Sequence, residues 1–190
     1  MKIAITGASS TGKTVLMSDI VSALCSYDDQ FSAEYIDVRA IADRMNVKDA
    51  VKHSQSNLLD FQTEIYSEKY RHEFGKTKYV TDRSYLDLAA YYAIRESELG
   101  KVSASYVESC ILMARSFDLH IHLPFGRLAF EEDGYRPSNV GFNIDIDCYI
   151  KSKLAELSLR HLTIKTPDRS LSVSMVLNEL RSFNPSFFVR

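Results

Sequence analysis

The chain of 190 residues contains no tryptophan and few cysteines, prolines or glycines. Its three cysteines, Cys25, Cys110 and Cys148, lack the paired spacing of a zinc site or a disulfide framework, so we expect reduced thiols. No apolar segment approaches the ~20 residues that span a bilayer. The first residues resemble a strand and not a signal peptide. These absences argue against a secreted or membrane protein and predict a cytoplasmic one without a membrane partner.

An excess of charge of either sign is also missing. The 23 Lys and Arg residues nearly balance the 25 Asp and Glu residues, which leaves a net charge of −2. Proteins that bind duplex nucleic acid normally carry a basic stripe or patch. A nucleic-acid partner is therefore possible but receives no support from charge. The length predicts one domain, residues 1–190, with a sizeable core.

Two of the seven glycines fall in one motif near the N-terminus. Residues 7–14, Gly-Ala-Ser-Ser-Thr-Gly-Lys-Thr, match the phosphate-binding pattern G-x-x-x-x-G-K-[ST]. Glycines allow the backbone N–H groups to surround an anion, and the start of the following helix adds positive dipole character. Lys13 is predicted to reach the β- and γ-phosphates of ATP, and the Thr14 hydroxyl to ligate Mg²⁺. The predicted nucleotide contacts are Gly7, Ser9, Ser10, Thr11, Gly12, Lys13 and Thr14.

Apolar strand-like segments alternate with helix-like segments along the whole chain. This alternation predicts an α/β fold in which helices cover both faces of a parallel sheet, with ligands at the carboxyl ends of the strands. The predicted strands are 2–6, 33–37, 78–81, 119–123 and 162–165. The predicted helices are 15–24, 38–45, 58–74, 84–96, 103–116, 144–159 and 171–183.

An acid and a base follow the third predicted strand directly. Asp82 is placed to hold Mg²⁺ or to accept a proton from an attacking hydroxyl, and Arg83 to bind a phosphate. The alternative is an N-cap aspartate beside a surface arginine.

Three segments carry a resemblance to a known group of kinases. Residues 82–91, Asp-Arg-Ser-Tyr-Leu-Asp-Leu-Ala-Ala-Tyr, resemble the Asp-Arg-Ser/Thr…Asp…Ala-Tyr signature of NadR-like P-loop kinases. They are also similar to the Asp-Arg-Tyr and Glu-Arg-Ser motifs of thymidylate and deoxynucleoside kinases. Residues 60–62, Asp-Phe-Gln, resemble a Phe-Gln that contacts the acceptor base in deoxynucleoside kinases. Residues 132–136, Glu-Asp-Gly-Tyr-Arg, resemble the Asp-Gly-x-Arg segment of NadR-like proteins.

The resemblance, which covers roughly residues 1–150, implies a fold and a chemistry. It implies a three-layer P-loop kinase domain with a five-stranded parallel sheet of order 2-3-1-4-5 and a lid at about residues 125–140. It also implies ATP and Mg²⁺ as cofactors, a metal or proton-transfer role for Asp82, and a phosphate-binding role for Arg83. We assign the lid role to Arg136 in preference to Arg127, because Gly134 provides a hinge beside it. A solvated charged loop is the alternative.

The acceptor is predicted less sharply. Asp37 and Arg39 lie near the place of an acceptor-binding cluster in NadR-like kinases, but a surface salt bridge fits them equally well. Gln62 is a candidate to bind a base or amide edge, or is an ordinary surface glutamine.

Asp168 follows the fifth strand, where this fold holds adenine mainly through backbone groups, and a plain turn is its alternative. The C-terminal phenylalanines are expected to cover the core, with a homodimer contact as the alternative.

The leading functional hypothesis is transfer of the γ-phosphoryl group of ATP to a small acceptor. The acceptor would be a nucleoside, a deoxynucleoside monophosphate or a molecule of the nicotinamide riboside type. The alternatives are a polynucleotide kinase and a nucleotide-sensing ATPase without an acceptor. A regulatory GTPase is disfavoured because no Asn-Lys-x-Asp motif occurs, and a motor ATPase because no long apolar run ends in Asp-Glu.

Overall fold

The computed structural model of the chain describes residues 1–47, 55–99, 103–129 and 139–188, with the side chains of 55–57 and 96–99 excepted. The strands, in chain order, are β1 Lys2–Thr6, β2 Ser32–Glu34, β3 Tyr79–Asp82, β4 Leu119–His122 and β5 His161–Thr163. The helices are α1 Lys13–Cys25, α2 Val38–Arg44, α3 Gln55–Glu73, α4 Tyr85–Leu99, α5 Ala104–Ala114, α6 Val140–Glu156 and α7 Arg169–Phe183, followed by a 3₁₀ turn, Pro185–Phe188.

The five strands form one parallel sheet in the order β2-β3-β1-β4-β5, which confirms the predicted topology. In this register Ile5 of β1 lies beside Asp82 of β3, and Thr6 lies beside His122 of β4. The loop after β1 therefore emerges between the ends of β3 and β4. This arrangement places the sequence motif of residues 7–14 at the centre of the carboxyl edge of the sheet.

Two hydrophobic cores lie on opposite faces of the sheet, as expected for three layers. Side chains alternate along β1, so that Ile3 and Ile5 pack under α1 and α7, whereas Ala4 packs on the face covered by α2–α6. The C-terminal rings of Phe183, Phe187 and Phe188 pack against the α1–α7 core. This placement agrees with the prediction that they cover the core.

Side-chain caps account for two differences from the predicted boundaries. Helix α6 begins four residues before the predicted 144, because the side chain of Asn139 accepts the N–H of Phe142. Strand β2 ends at Glu34, before the predicted 37, and Asp37 instead caps α2 by accepting the N–H groups of Arg39 and Ala40. Among the described helices, none is long and apolar enough to cross a membrane.

A buried ion pair lies beneath β3. The fully buried ammonium of Lys69 donates to the carboxylate of Glu73 and, over 2.7 Å, to the hydroxyl of Thr81. Burial lowers the pKa of Lys69, and the charge of Glu73 opposes that effect. Lys69 and Glu73 both lie on α3, so the contact that joins α3 to the strand ending in Asp82 is the hydrogen bond from Lys69 to Thr81, while Glu73 supplies the counter-charge that a buried ammonium requires.

His120 of β4 is buried as a neutral imidazole on the same face of the sheet. One ring nitrogen, Nε2, lies 3.1 Å from the carbonyl of Ala114, and burial lowers the pKa of the ring to about 4. Its Nδ1 has no hydrogen-bond partner among the described residues. Since an unfolded histidine has a pKa of about 6.5, the unfolded chain binds this proton at a higher pH than the folded protein does.

We therefore expect His120 to make the fold less stable in mild acid. Between pH 6.5 and about 4 the unfolded state binds more protons, so lowering the pH favours unfolding, by about 2 kcal/mol at pH 5. Urea unfolding at pH 7.5 and pH 5 should show that this loss is smaller in His120→Gln than in the natural protein. His161→Gln, at an exposed histidine, is the control. An identical pH dependence in both variants would contradict the assignment.

Candidate active site

The loop of residues 7–14 depends on glycine at two positions. Gly7 has φ +150° and Gly12 has φ +84°, backbone angles that residues with a side chain rarely adopt. A Cβ at Gly7 would lie 2.3 Å from the carbonyl oxygen of Leu123, and one at Gly12 would lie 2.9 Å from a methyl carbon of Leu128. The backbone can therefore curl tightly between β1 and α1, with the first turn of α1 at its end.

The ammonium of Lys13 lies inside this loop. Its Nζ donates to the carbonyls of Gly7 and Ala8 over 2.8 and 2.6 Å, although Lys13 belongs to α1. Burial and the neighbouring cation of Arg83 lower the pKa of Lys13, whereas the Asp82 carboxylate opposes them. The loop thus carries a buried positive charge at the point where the motif predicts phosphate binding.

Thr14 and Asp82 meet at the mouth of the loop. The Thr14 hydroxyl donates to Oδ2 of Asp82, and Oδ1 of the same carboxylate is buried with no hydrogen-bond partner in the described part of the chain. Hydroxyl and carboxylate oxygens are the ligands that Mg²⁺ prefers, and Mg²⁺ takes its remaining ligands from phosphate oxygens and water. The orphaned Oδ1 gives this pair of side chains a free acceptor, so the residues present fit Mg²⁺.

Asp87 ties the loop to the turn that carries Asp82 and Arg83. Its buried carboxylate accepts the hydroxyl of Thr6 over 2.6 Å, the N–H of Gly7 over 3.1 Å and the N–H of Ser84 over 2.8 Å. Sequence reasoning noted Asp87 only as one letter of the 82–91 signature. Its place in the first turn of α4 was the available signal, because a carboxylate there can cap backbone N–H groups.

Arg83 stands between the loop and α4 in a strained conformation. Its φ is +75°, in the left-handed region, and its guanidinium lies 5.3 Å from the centre of the Tyr91 ring. Burial disfavours its charge, but Tyr91 and Asp82 outweigh that effect and raise the pKa of Arg83. A non-glycine residue is held in this conformation only where its surroundings fix it, and such strain is frequent at functional sites.

One cavity of about 850 Å³ joins the loop to the space beside α2, α3 and α4. Of the residues predicted for the acceptor, the structure brings four to its wall: Asp37, Arg39, Gln62 and Arg83. Sequence reasoning missed the wall residues Tyr35 and Arg95, and it noted Tyr91 only as the last letter of the 82–91 signature. Tyr91 and Arg95 follow Asp87 at intervals of four residues on α4, so helical periodicity was the signal that could have found them.

Gln62 has an unusual environment for a glutamine. It is only 5% exposed, yet it lines the cavity. The hydroxyl of Tyr106 donates to its backbone carbonyl over 3.0 Å and so holds this part of α3. An amide carries both donors and acceptors, so the position of Gln62 on the cavity wall favours a ligand with a matching polar edge.

Two predicted residues fall outside this arrangement. Asp168 does not line the cavity; its carboxylate accepts the N–H of Leu171 and caps α7. Arg136, with the whole segment 130–138 of the predicted lid, lies outside the described residues.

Arg127, the other lid arginine, is a structural clamp. Its guanidinium donates to the carbonyl of Thr166 over 2.7 Å, to the carbonyl of Thr11 over 3.1 Å and to the hydroxyl of Ser172 over 3.1 Å. It thereby joins the phosphate loop to the loop between β5 and α7. Three of its five N–H donors are therefore occupied by protein groups.

The sequence matches a family model over most of its length. Residues 2–170 match the model described as an AAA domain. The chain belongs to this family of AAA domains. No curated protein matches the sequence.

Solved structures show which fold this AAA domain has. Deoxyadenosine kinase from M. mycoides with bound dATP superposes with a TM-score of 0.63 at 15% identity, over 95% of this chain and 100% of that one. Thymidylate kinase from Ehrlichia chaffeensis gives 0.62 at 13% identity, over 95% and 98% of the chains. NadR protein in complex with NR gives 0.59 at 15% identity, over 96% of this chain and 50% of that one. The AAA domain thus has the P-loop nucleoside and nucleotide kinase fold, which confirms the resemblance found in the sequence.

We expect the Asp87 carboxylate to hold the loop in its binding conformation. In Asp87→Asn an amide NH₂ must face one of three donors, so the free energy of unfolding should fall by about 2–3 kcal/mol. Affinity for a fluorescent ATP analogue should fall about tenfold because the loop loosens. Urea unfolding and fluorescence titration measure the two effects.

Asp145→Asn is the matched control, because Asp145 is an exposed aspartate on α6. Its stability should change by less than about 0.5 kcal/mol. If Asp87→Asn behaved like this control in both measurements, the role of Asp87 would be disproved.

Proposed function

We propose that this AAA domain is a P-loop kinase that transfers the γ-phosphoryl group of ATP to a small nucleoside- or nucleotide-like acceptor. The observation that carries the proposal is the shared cavity. Lys13 and Thr14 of the phosphate loop share its wall with Asp82 and Arg83 of the turn after β3 and with Gln62 of α3. A donor site and an acceptor site that meet at one point are what a transfer reaction requires.

The donor side is assigned to the loop of residues 7–14. Its backbone N–H groups and Lys13 would bind the β- and γ-phosphates, and Thr14 and Asp82 would hold Mg²⁺. When bound, Mg²⁺ neutralises charge on the phosphate oxygens during transfer. The hydroxyl of Thr14 orients the Asp82 carboxylate towards that position.

The acceptor side combines an apolar wall with one amide and several cations. Phe61 and Ile65 of α3 flank Gln62 and would pack against a planar ring, while the Gln62 amide would bind its polar edge. This environment suits a nucleobase or nicotinamide ring. The names of the three structural neighbours, two nucleoside or nucleotide kinases and a protein bound to NR, support the same class of acceptor.

Arg83 is proposed to stabilise the phosphoryl group in transit. It lines the cavity directly after Asp82, and the neighbouring Tyr91 and Asp82 raise its pKa against the effect of burial, so it stays charged. Arg136 remains the proposed lid arginine, whose arrival would add charge and exclude water.

The reaction is tested by ADP release against a panel of acceptors. The panel contains nucleosides, nucleoside monophosphates, nicotinamide riboside and oligonucleotides. We expect one of the small acceptors to raise ADP release well above the basal rate, and Lys13→Ala to lower kcat/KM at least 100-fold. Lys153→Ala, which removes a lysine that does not line the cavity, should retain activity. If no acceptor raised ADP release, the protein would be a nucleotide-sensing ATPase; stimulation by oligonucleotides alone would indicate a polynucleotide kinase.

Asp82→Asn separates the two roles of that carboxylate. Because Asp82 accepts a hydrogen bond from Thr14, we expect its carboxylate to bind the metal ion. The Mg²⁺ concentration for half-maximal activity should therefore rise about tenfold in the variant. The loss of kcat/KM in this variant should be equal for hydroxyl and phosphate acceptors. A loss confined to hydroxyl acceptors would instead identify Asp82 as the general base.

A further inference from the structure

Tyr91 is the cavity residue that touches both halves of the site. Its hydroxyl lies 2.8 Å from the hydroxyl of Ser9 at the tip of the phosphate loop. The face of its ring lies 5.3 Å from the guanidinium of Arg83. One side chain thus contacts the donor loop through its hydroxyl, and the Arg83 cation through its ring and also through its hydroxyl.

The Tyr91 ring is also part of a longer row of aromatic and cationic groups. Its centre lies 5.9 Å from that of Phe142 on α6, and the guanidinium of Arg95 lies 5.1 Å from the Phe142 ring. The row therefore has a cation at each end and two rings between them, in the order Arg83, Tyr91, Phe142 and Arg95. Such contacts help to fix the direction of a guanidinium, because the negative face of an aromatic ring attracts the cation.

The backbone explains why this support matters. Arg83 has a left-handed φ of +75°, and Ser10, next to Ser9, has a φ of +59°. Both segments therefore hold conformations that L-residues adopt at a cost, and both need outside contacts to keep them. The Tyr91 side chain provides one contact to each segment.

We propose that Tyr91 is a positioning residue that couples the tip of the phosphate loop to Arg83. Its hydroxyl fixes the loop through Ser9, and its ring holds the Arg83 guanidinium towards the transferred phosphoryl group. The first half concerns nucleotide binding alone. The second half rests on the proposed kinase function.

The hydroxyl contact is tested by a double-mutant cycle on affinity for a fluorescent ATP analogue with Mg²⁺. Tyr91→Phe and Ser9→Ala should each weaken binding about 3–10-fold, since each removes the same hydrogen bond. The double variant should bind the analogue at most about twofold more weakly than the single variant that has the lower affinity. A loss equal to the product of the single losses, or a loss from Ser9→Ala without one from Tyr91→Phe, would overturn the coupling.

Tyr92→Phe is the matched control. Tyr92 is the next residue of α4 and is also buried, but its hydroxyl accepts the N–H of Ser103, away from the loop. Its removal should lower the melting temperature and leave affinity for the nucleotide within twofold. A weakening equal to that of Tyr91→Phe would show a general effect of α4 stability and would overturn the specific role.

The ring contact is tested by comparing Tyr91→Phe with Tyr91→Leu. Phenylalanine keeps the ring beneath Arg83 and should leave kcat within about threefold, whereas leucine removes the ring and should lower kcat by about a further tenfold. Equal kcat values in the two variants would overturn this half of the proposal. If no acceptor were found, the kinase hypothesis would fail on its own, because the double-mutant cycle uses nucleotide binding only.

Discussion

The carboxylate of Asp87 is the constraint on which the rest of the site depends. It accepts three hydrogen bonds, two from the end of β1 and the start of the phosphate loop and one from Ser84 after β3. The phosphate loop follows β1 and the Asp82–Ser84 turn follows β3. The two segments are far apart in sequence, so only non-covalent contacts hold their relative position. A single buried anion fixes both, and its charge also favours the cations of Lys13 and Arg83 in the interior.

The site extends from this anion by short steps. The parallel register places Asp82 opposite Ile5, so that Thr14 in the first turn of α1 can reach its carboxylate. The same helix that carries Asp87 carries Tyr91 one turn later, which reaches the loop tip and the Arg83 guanidinium. Binding of phosphate, of a metal and of an acceptor thus shares one scaffold, the sheet edge with α1 and α4.

The resemblance to P-loop kinases implied the sheet order, and the residue pattern indicated the chemistry at its edge, but neither predicted the contacts between elements. The glycines and Lys13 form a contiguous motif, and Asp82 follows an apolar run, so both were placed at strand ends by pattern alone. The importance of Asp87 and Tyr91 depends on which face of α4 meets the loop, which a single sequence does not state. Gln62 likewise resembled a surface glutamine until its burial was known.

The most direct test of this account is a crystal structure with a non-hydrolysable ATP analogue and Mg²⁺. The account predicts that the γ-phosphate lies in the loop of residues 7–14 against Lys13, that Mg²⁺ lies beside Thr14 and Asp82, and that the space beside Gln62 stays free for an acceptor. A nucleotide whose base occupies the space beside Gln62, with its phosphates outside the loop, would contradict it.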